Sequence, residues 1–279
     1  MRRAILPGRG RPPRRAPAAP AGDRAPSDPS ERRLTVSLPF DHLVLLVHDL
    51  DAAARDFAAL GFTVQERADT EHGKTQFRFV CFDDGSYILL TAFTSAEGQA
   101  SHRLGEVLTA GEGWADWSFT VPSAADAADA LKAEGLPVRG PVPVSNVIAD
   151  GSRWALELTL TGRGAEGDVS LPFVVSDVEG RPARIPAPVP HANGATGIAG
   201  LSLSTGNPAA VGRTLKALGG RETAPGRFDF GRVWVEVLPL STPLGRSGGG
   251  MVKAALSGGS DREFDTRLTH GAPLAMIRD

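Results

Sequence analysis

Residues 40–64, FDHLVLLVHDLDAAARDFAALGFTV, decide the fold of this chain because they join a buried strand to an amphipathic helix. The nearly continuous apolar run from Phe40 to Val47 predicts a strand covered on both faces. Asp49 is then placed to cap a helix, and Gly61 to end it. The apolar face of that helix consists of Leu50, Ala53, Ala54, Phe57 and Leu60.

Three further strands are predicted after this helix, at residues 62–65, 75–82 and 86–93. The last two are joined by Asp83-Asp84-Gly85, a sequence typical of a tight hairpin turn. Together these elements predict a first βαβββ module over residues 36–95.

A second copy of this pattern is predicted over residues 113–177. Its first strand is WADWSFTV, Ser123 caps its helix, Gly135 ends that helix, and three strands follow. Aligning the two modules at their cap residues places Asp116 at the position of His42, because each lies seven residues before its cap.

A third, partial βα-type unit is predicted over residues 197–279. It contains the strand GIAGLSLS, then Asn207 and Pro208 as cap and first helical residue, and the strand RVWVEVLP. The Gly and Ser content of residues 241–260 predicts a mobile loop. A short strand at residues 273–277 then ends the unit.

The repetition predicts an α+β fold in which βαβββ modules form curved mixed sheets around an open cleft. A single curved sheet with one helix leaves an apolar face uncovered, so modules of this kind pair. Residues 178–196 are rich in Pro and Gly and are predicted to be a connector that lies across this cleft.

Composition narrows the function classes. Residues 1–35 are rich in Arg and Pro and are predicted to be a disordered tail. Residues 1–33 contain nine Arg and three acidic residues, a net of +6, so the remainder of the chain carries -2 - 6 = -8. An acidic body argues against nucleic-acid binding.

No membrane-spanning run or secretion signal is recognisable, so the expected location is the cytoplasm.

The motifs taken together resemble the glyoxalase-like domain branch of the vicinal oxygen chelate superfamily. The resemblance extends from about Leu38 to the C-terminus. Besides the opening stretch, it rests on HGKTQFRF, FDDGSYILL, GWADWSFTV, DGSRW, LPFVVSD, HANGATGIAGLSL and THGAP.

The resemblance implies paired modules around a cavity that, in many relatives, holds a divalent metal and a small oxygenated organic molecule. Relatives include lyases, isomerases, ring-cleaving dioxygenases and proteins that bind a toxic compound. Fold alone does not select one of these activities.

The resemblance places metal ligands at four positions of this sequence. His42 matches the histidine of the first strand, but Leu89 and Ser176 stand where acidic ligands are expected, and Asp116 occupies the fourth position. His72 and, in the third unit, Glu236 are the additional candidates. A divalent metal generally needs at least three protein ligands, so the sequence favours a site without the full metal cage.

Two residues are the candidate catalytic groups. A buried Asp116 needs a partner, and His42 is the expected one, so the pair could act as acid and base without a metal. Tyr87, Trp117, Arg153 and Trp154 are the candidate substrate-binding residues, with the planar fork of Arg153 suited to a carboxylate or phosphate.

Three functions remain open at this point. The first is a small-molecule binding protein or metal-free enzyme. The second is a metal-dependent lyase, isomerase or ring-cleaving dioxygenase using His42, Asp116 and either His72 or Glu236. The third is a non-catalytic scaffold that mediates subunit contacts. In each case the expected assembly is a homodimer.

Overall fold

The computed structural model describes residues 38–70, 73–240 and 248–278, which form two mixed seven-stranded sheets with helices packed against them. The predicted α+β class built from βαβββ modules is confirmed. The predicted disordered tail and the candidate ligand His72 lie outside the described residues, as do residues 241–247 of the predicted loop over 241–260.

The first sheet contains the strands of the first two modules. Its strand order is β2-β3-β1-β4-β7-β6-β5, with β1 parallel to β3 and antiparallel to β4. In chain order the strands are β1 (Phe40–Leu46), β2 (Thr75–Cys81), β3 (Tyr87–Phe93), β4 (Gly113–Thr120), β5 (Arg139–Val147), β6 (Arg153–Leu160) and β7 (Phe173–Glu179).

The second sheet repeats this arrangement with the rest of the chain. Its strand order is β13-β14-β12-β8-β11-β10-β9, with β8 parallel to β11 and antiparallel to β12. The strands are β8 (Ala195–Thr205), β9 (Arg221–Ala224), β10 (Arg227–Asp229), β11 (Trp234–Pro239), β12 (Gly250–Gly258), β13 (Arg262–Glu263) and β14 (Leu274–Arg278).

The three longer helices begin where capping residues predicted them. The side chains of Asp49, Ser123 and Asn207 each accept a hydrogen bond from the backbone N–H three residues later, which satisfies a helix donor that would otherwise lack a partner. The helices are α1 (Leu50–Ala59), α2 (Ala96–Ala100), α3 (Gly105–Thr109), α4 (Ala124–Ala133), α5 (Arg181–Arg184) and α6 (Pro208–Ala217). None of the helices in the described ranges has the length and apolarity to cross a membrane.

Two predicted elements differ from the structure. Residues 62–65 do not form a strand, because only Gln65 makes a bridge, to Phe79, before the chain leaves the sheet edge. Much of the predicted loop over 241–260 is instead β12, which lies beside β8 in the middle of the second sheet. Its Gly and Ser residues have low intrinsic strand preference, but pairing on both sides and burial of Met251 override that preference.

The first sheet curls into a half-barrel, and the chain between α1 and β2 connects its two edges. Gln65 bridges to Phe79 of the edge strand β2, while Asp69 bridges to Ile148, which follows the opposite edge strand β5. One short segment can reach both edges only if the sheet curves back on itself. The concave side therefore encloses a cavity.

The other side of the first sheet packs against the second sheet in a shared core. The ring of Phe119 in β4 lies 4.5 Å from that of Phe230 in the third unit, and the Trp114 indole donates a 2.9 Å hydrogen bond to the carbonyl of Pro273. One continuous cluster of buried apolar side chains includes residues of both sheets. The two sheets therefore depend on each other for burial.

Candidate functional site

A cavity of about 410 Å³ lies inside the curled first sheet. Strands of both modules contribute to it, so it is the expected cleft between modules. Its wall is mainly apolar and includes five Phe, Tyr and Trp side chains: Phe77, Phe79, Tyr87, Trp154 and Phe173. Cavities of this size and character suit small organic molecules that are positioned by a few polar groups.

Trp154 supplies one such polar group. Its side chain is 7% exposed, lines the cavity, and carries an indole N–H that has no hydrogen-bond partner among the described residues. A buried donor without a partner is destabilising.

Arg67 fixes the position of this tryptophan. Its guanidinium lies 4.7 Å from the centre of the Trp154 ring and 5.2 Å from that of Phe79. Two hydrogen bonds to Asp69, of 2.7 and 2.9 Å, and one to the backbone carbonyl of Arg184 hold the guanidinium in place. Arg67 therefore belongs to the cavity wall as a rigid, charge-paired group.

His42 lines the cavity near the start of β1 and is held by a carboxylate that is its own chain neighbour. A register shift between Phe40 and His42 makes Asp41 an extra residue in β1, so that the side chains of Asp41 and His42 meet. His42 Nδ1 lies 2.8 Å from Asp41 Oδ2 and 2.9 Å from the hydroxyl of Ser118.

Asp41 is fully buried and has several hydrogen-bond donors around it. Its carboxylate accepts from Thr120 at 2.8 Å, from Arg181 at 2.9 Å and from the hydroxyl of Tyr87 at 3.1 Å. Burial acts to raise the pKa of Asp41, but the hydrogen bond with His42 and the nearby Arg184 and Arg181 hold that pKa well below its usual range. The carboxylate is therefore ionised in the folded protein.

Tyr87 and Arg184 complete this cluster at the cavity wall. Arg184 donates 2.9 Å and 2.7 Å hydrogen bonds to the Tyr87 hydroxyl and to Asp177. Burial, together with the charge of Asp41, raises the pKa of Tyr87 above its ordinary value, so its hydroxyl stays protonated. Burial opposes the charge of Arg184, but Tyr87 and Asp41 raise its pKa, so the arginine stays charged.

His102 lines the same cavity, but its Nδ1 accepts a hydrogen bond, whereas Nδ1 of His42 lies against a carboxylate. Its Nδ1 accepts a 3.2 Å hydrogen bond from the backbone N–H of Leu104, which places the ring proton on Nε2. Burial, reinforced by Arg103 and Lys74, lowers the pKa of His102 to about 4. His102 is therefore neutral at physiological pH.

Asp116 and His42 do not form the pair expected from the sequence. His42 is paired across the sheet with Ser118, while Asp116 lies opposite Val44, two residues further along β1. Asp116 instead forms an ion pair with Arg103. The physical reason is that each side chain has a nearer partner, which is the chain neighbour Asp41 for His42 and Arg103, from outside the aligned strands, for Asp116.

The other candidate residues are distributed over the molecule. Tyr87 and Trp154 line the cavity, whereas Trp117 lies in the core between the sheets and donates to the carbonyl of Ser170. Arg153 is exposed at the start of β6. Glu236 lies in the second sheet, in a different cavity, and accepts a 2.8 Å hydrogen bond from Ser202.

The described residues do not fit a metal held by three protein ligands. No group of three or more His, Cys, Asp or Glu side chains in residues 38–70, 73–240 and 248–278 could hold a metal ion. Leu89, at the expected acidic position, lines the cavity with an aliphatic side chain, and Nδ1 of His42 is already occupied. Lining residues Phe173 and Val175 alternate with Ser176 along β7, so Ser176 points away from the cavity.

Several residues that shape the site were not predicted from the sequence. Asp41 could have been found, since a carboxylate inside an apolar strand must have a partner. Arg67, His102 and Arg184 come from loops and short helices, where no periodic pattern distinguishes a cavity residue from a surface residue. Arg184 belongs to the segment predicted as a connector across the cleft.

Comparison with known proteins gives a family and a fold. A family model described as a glyoxalase-like domain matches residues 40–219. The search of curated proteins returned no match to this sequence. A hypothetical protein from Staphylococcus aureus is 13% identical, with a TM-score of 0.65, and the match covers 87% of this chain and all of that one. At this identity the likeness shows the fold alone.

Two enzymes match with lower TM-scores. Methylmalonyl-CoA epimerase from Streptomyces coelicolor is 22% identical over 51% of this chain and 99% of its own, with a TM-score of 0.37. A mutant of 4-hydroxymandelate synthase from the same organism is 13% identical over 80% of this chain and 72% of its own, with a TM-score of 0.49. Scores this low support no inference about the activity of this chain.

Proposed function

Since this chain belongs to the glyoxalase-like domain family, we propose that its aromatic cavity binds a small, largely apolar organic molecule through an oxygen atom of that molecule, without a metal ion. The observation that carries this proposal is the unpartnered, buried indole N–H of Trp154. An oxygen acceptor placed there would satisfy the donor while the aromatic wall contacts the rest of the ligand.

The charge of the cavity supports a neutral or anionic ligand. Arg67, Lys74 and Arg184 line it, and Asp69 is the one acidic residue among the lining residues that the structure describes. Arg67 and Arg184 are paired with Asp69 and Asp177, so Lys74 leaves a small positive charge that would favour a ligand carrying a partial or full negative charge on oxygen.

Metal-dependent chemistry is the alternative that the sequence left open, and elemental analysis tests it. The purified protein and its His42→Ala variant would be titrated with zinc, iron and manganese. We expect no stoichiometric, His42-dependent metal in either sample, because His42 is the one residue with a donor atom that lines the cavity among the expected ligand positions that the structure describes. A stoichiometric metal that is lost with His42 would overturn the metal-free proposal.

Binding is tested with a matched pair of small aromatic probes, acetophenone and ethylbenzene, which differ by a carbonyl oxygen. Both should raise the melting temperature, since a ligand that binds only the folded state stabilises it. Trp154→Phe should weaken acetophenone binding about tenfold, the equivalent of one hydrogen bond, and leave ethylbenzene binding unchanged.

Trp117→Phe is the control, because it removes an indole N–H from the core outside the cavity. This variant should be less stable but should keep the wild-type ratio of the two affinities. Equal losses of both probes in Trp154→Phe, or no binding of either probe to the wild type, would contradict the proposed function.

The expectations of a homodimer and a cytoplasmic location belong to this proposal as well. The assembly is checked by light scattering of the purified full chain, where a mass of twice 29.2 kDa is expected. The location is checked by fractionation of the source cells.

A further inference from the structure

We propose that the second sheet has a binding site of its own, on the face that points away from the shared core, for a small aliphatic zwitterion such as an amino acid. In this site Glu236 pairs with the ammonium group of the ligand and Lys253 with its carboxylate. The site is separate from the aromatic cavity of the first sheet, and it does not rest on the function proposed for that cavity.

The register of the strands shows which face of the second sheet corresponds to the cavity wall of the first. Gly200 in β8 and His42 in β1 each lie seven residues before the cap of the helix that follows. Gly200 is paired with Trp234 of the parallel strand β11, as His42 is paired with Tyr87 of the parallel strand β3. The face that carries Gly200 and Trp234 is therefore the counterpart of the cavity wall.

A second cavity, of about 490 Å³, lies on this face. Val235 and Val237 of β11 belong to the shared core, so Glu236 between them points to the opposite side of the sheet. Ser202 is in register with Glu236 on one side and with Lys253 on the other, and all three line the cavity. One row across three strands thus carries a carboxylate, a hydroxyl and an ammonium group.

This row of polar groups is particular to the second sheet. The corresponding row of the first sheet, read from the same pairing of strands, is Leu89, Val44 and Asp116. Two of these side chains are aliphatic, and Asp116 is already in an ion pair with Arg103. The two faces therefore share a backbone arrangement but differ in the ligand chemistry that they suit.

Glu236 has an oxygen atom that can accept from a ligand. Its Oε2 accepts a 2.8 Å hydrogen bond from the Ser202 hydroxyl, and its Oε1 has no partner in the described part of the chain. Arg227, which stands opposite Glu236 in β10, stacks its guanidinium 4.0 Å from the centre of the Trp234 ring and forms no ion pair with this carboxylate. An ammonium group is the ligand that a half-buried carboxylate with a free oxygen attracts.

Lys253 can bind the carboxylate of the same ligand. Its Nζ lies 2.9 Å from Glu263, whose side chain is 71% exposed. Surface ion pairs of this kind contribute little free energy, so a ligand carboxylate can replace Glu263. Glu236 and Lys253 are two strand spacings apart, roughly 10 Å at the backbone, and their long side chains can reach the two charges of one small zwitterion.

The rest of the lining favours an aliphatic over an aromatic ligand. Ala255, Ala275 and Met276 line the cavity with small or flexible apolar side chains. The Trp234 indole is packed between the backbone of Gly200, where a Cβ would collide with the ring, and the guanidinium of Arg227. The indole therefore offers its edge to a ligand, with no free face on which an aromatic ring could stack.

The test uses three probes that share one aliphatic body. They are leucine, 3-methylbutylamine, which lacks the carboxylate of leucine, and 4-methylpentanoate, which lacks its ammonium group. Isothermal titration calorimetry of the full chain at neutral pH measures the three affinities. Leucine should bind about tenfold more tightly than either of the other two, because each of them loses one charged hydrogen bond.

Two variants assign the two charges of the ligand. Glu236→Gln should weaken leucine binding about tenfold and leave 4-methylpentanoate binding unchanged, since that probe has no ammonium group. Lys253→Met should weaken leucine binding to a similar extent and leave 3-methylbutylamine binding unchanged. A purely structural effect of either substitution would instead weaken the binding of all three probes.

The matched controls are Glu222→Gln and Lys216→Met, which remove the two partners of a 2.6 Å surface ion pair outside the cavity. Both variants should bind leucine as the wild type does. Trp154→Phe, in the first sheet, should also leave leucine binding unchanged, and Glu236→Gln should leave acetophenone binding unchanged. These crossed measurements separate the second site from the aromatic cavity.

Three results would overturn this proposal: no leucine binding at millimolar concentration, equal affinities for the three probes, or weaker leucine binding in the matched controls. Loss of all three probes in Glu236→Gln and Lys253→Met would overturn it as well. None of these results bears on the aromatic cavity, which the acetophenone titration tests separately.

Discussion

At the scale of single residues, buried charges select their partners by proximity. Asp41 and Asp116 both lie in apolar strands of the first sheet, and each is nearly or fully buried. A buried carboxylate is tolerated only when it is paired and hydrogen-bonded. The sequence could predict that partners exist, but Arg181 and Arg103 come from segments whose position depends on the complete fold.

His102 leads to a prediction about stability and pH. Its pKa falls from 6.5 to about 4 on folding, first through burial and then through Arg103 and Lys74. Below pH 6.5 the unfolded chain binds a proton that the folded chain does not bind until about pH 4. Stability is therefore lost through this residue as the pH falls across that window.

The measurement is the free energy of unfolding in urea between pH 6.5 and pH 4, for the wild type and His102→Gln. The wild type should lose more stability on acidification than the variant, by a modest amount because the ring is partly exposed. His48→Gln, which lacks an exposed histidine, should follow the wild type. Parallel curves for the wild type and His102→Gln would contradict the assigned state of His102.

At the scale of elements, capping residues correctly predicted where the longer helices begin, whereas Gly and Ser content did not correctly predict a loop. The caps at Asp49, Ser123 and Asn207 act through a hydrogen bond three residues away, so a local sequence is enough to predict them. The strand β12, which lies in the Gly-rich and Ser-rich stretch, could not be predicted from local sequence. Its strand depends on two neighbours from distant parts of the chain, β8 and β14.

A pair of substitutions tests whether β12 is a core strand. Leu256 is fully buried, and Leu256→Ala should destabilise the protein by about 2 to 5 kcal/mol through lost contacts and the cavity left behind. The adjacent Ser257 is only partly buried, and Ser257→Ala should change stability by less than about 0.5 kcal/mol. Chemical denaturation measures both. Similar small effects at the two positions would instead indicate a mobile loop.

At the scale of the whole molecule, the two sheets serve different purposes. The first sheet curls and encloses the cavity, with its edges connected through Gln65 and Asp69. The second sheet covers the opposite face of the first through contacts such as Phe119 with Phe230. Removal of either sheet would expose much of the shared core.

Shared burial predicts a single cooperative unfolding transition. Of the four tryptophans, Trp234 is the one in the second sheet, so the fluorescence of the variant Trp234→Phe arises from side chains of the first sheet, two of which lie in the shared core. Circular dichroism reports on both sheets. The two transitions of this variant should coincide in urea. Separate midpoints would show that the sheets unfold independently.

The sequence by itself determined the modules, the α+β class and the family, and all three are confirmed. It also placed His42, Tyr87 and Trp154 among the candidate site residues, and these three line the cavity. Such features depend on hydrophobic periodicity, local capping and motif spacing, which are properties of neighbouring residues.

Only the tertiary structure decided which polar groups meet. It paired His42 with Asp41 across a β-bulge, paired Asp116 with Arg103, and brought Arg184 from a short connector helix to the cavity wall. It also put Glu236 in a different cavity from His42. The physical reason is that ion pairs and cavities form between segments far apart in the chain, whose register and curvature are set when both sheets close on their common core.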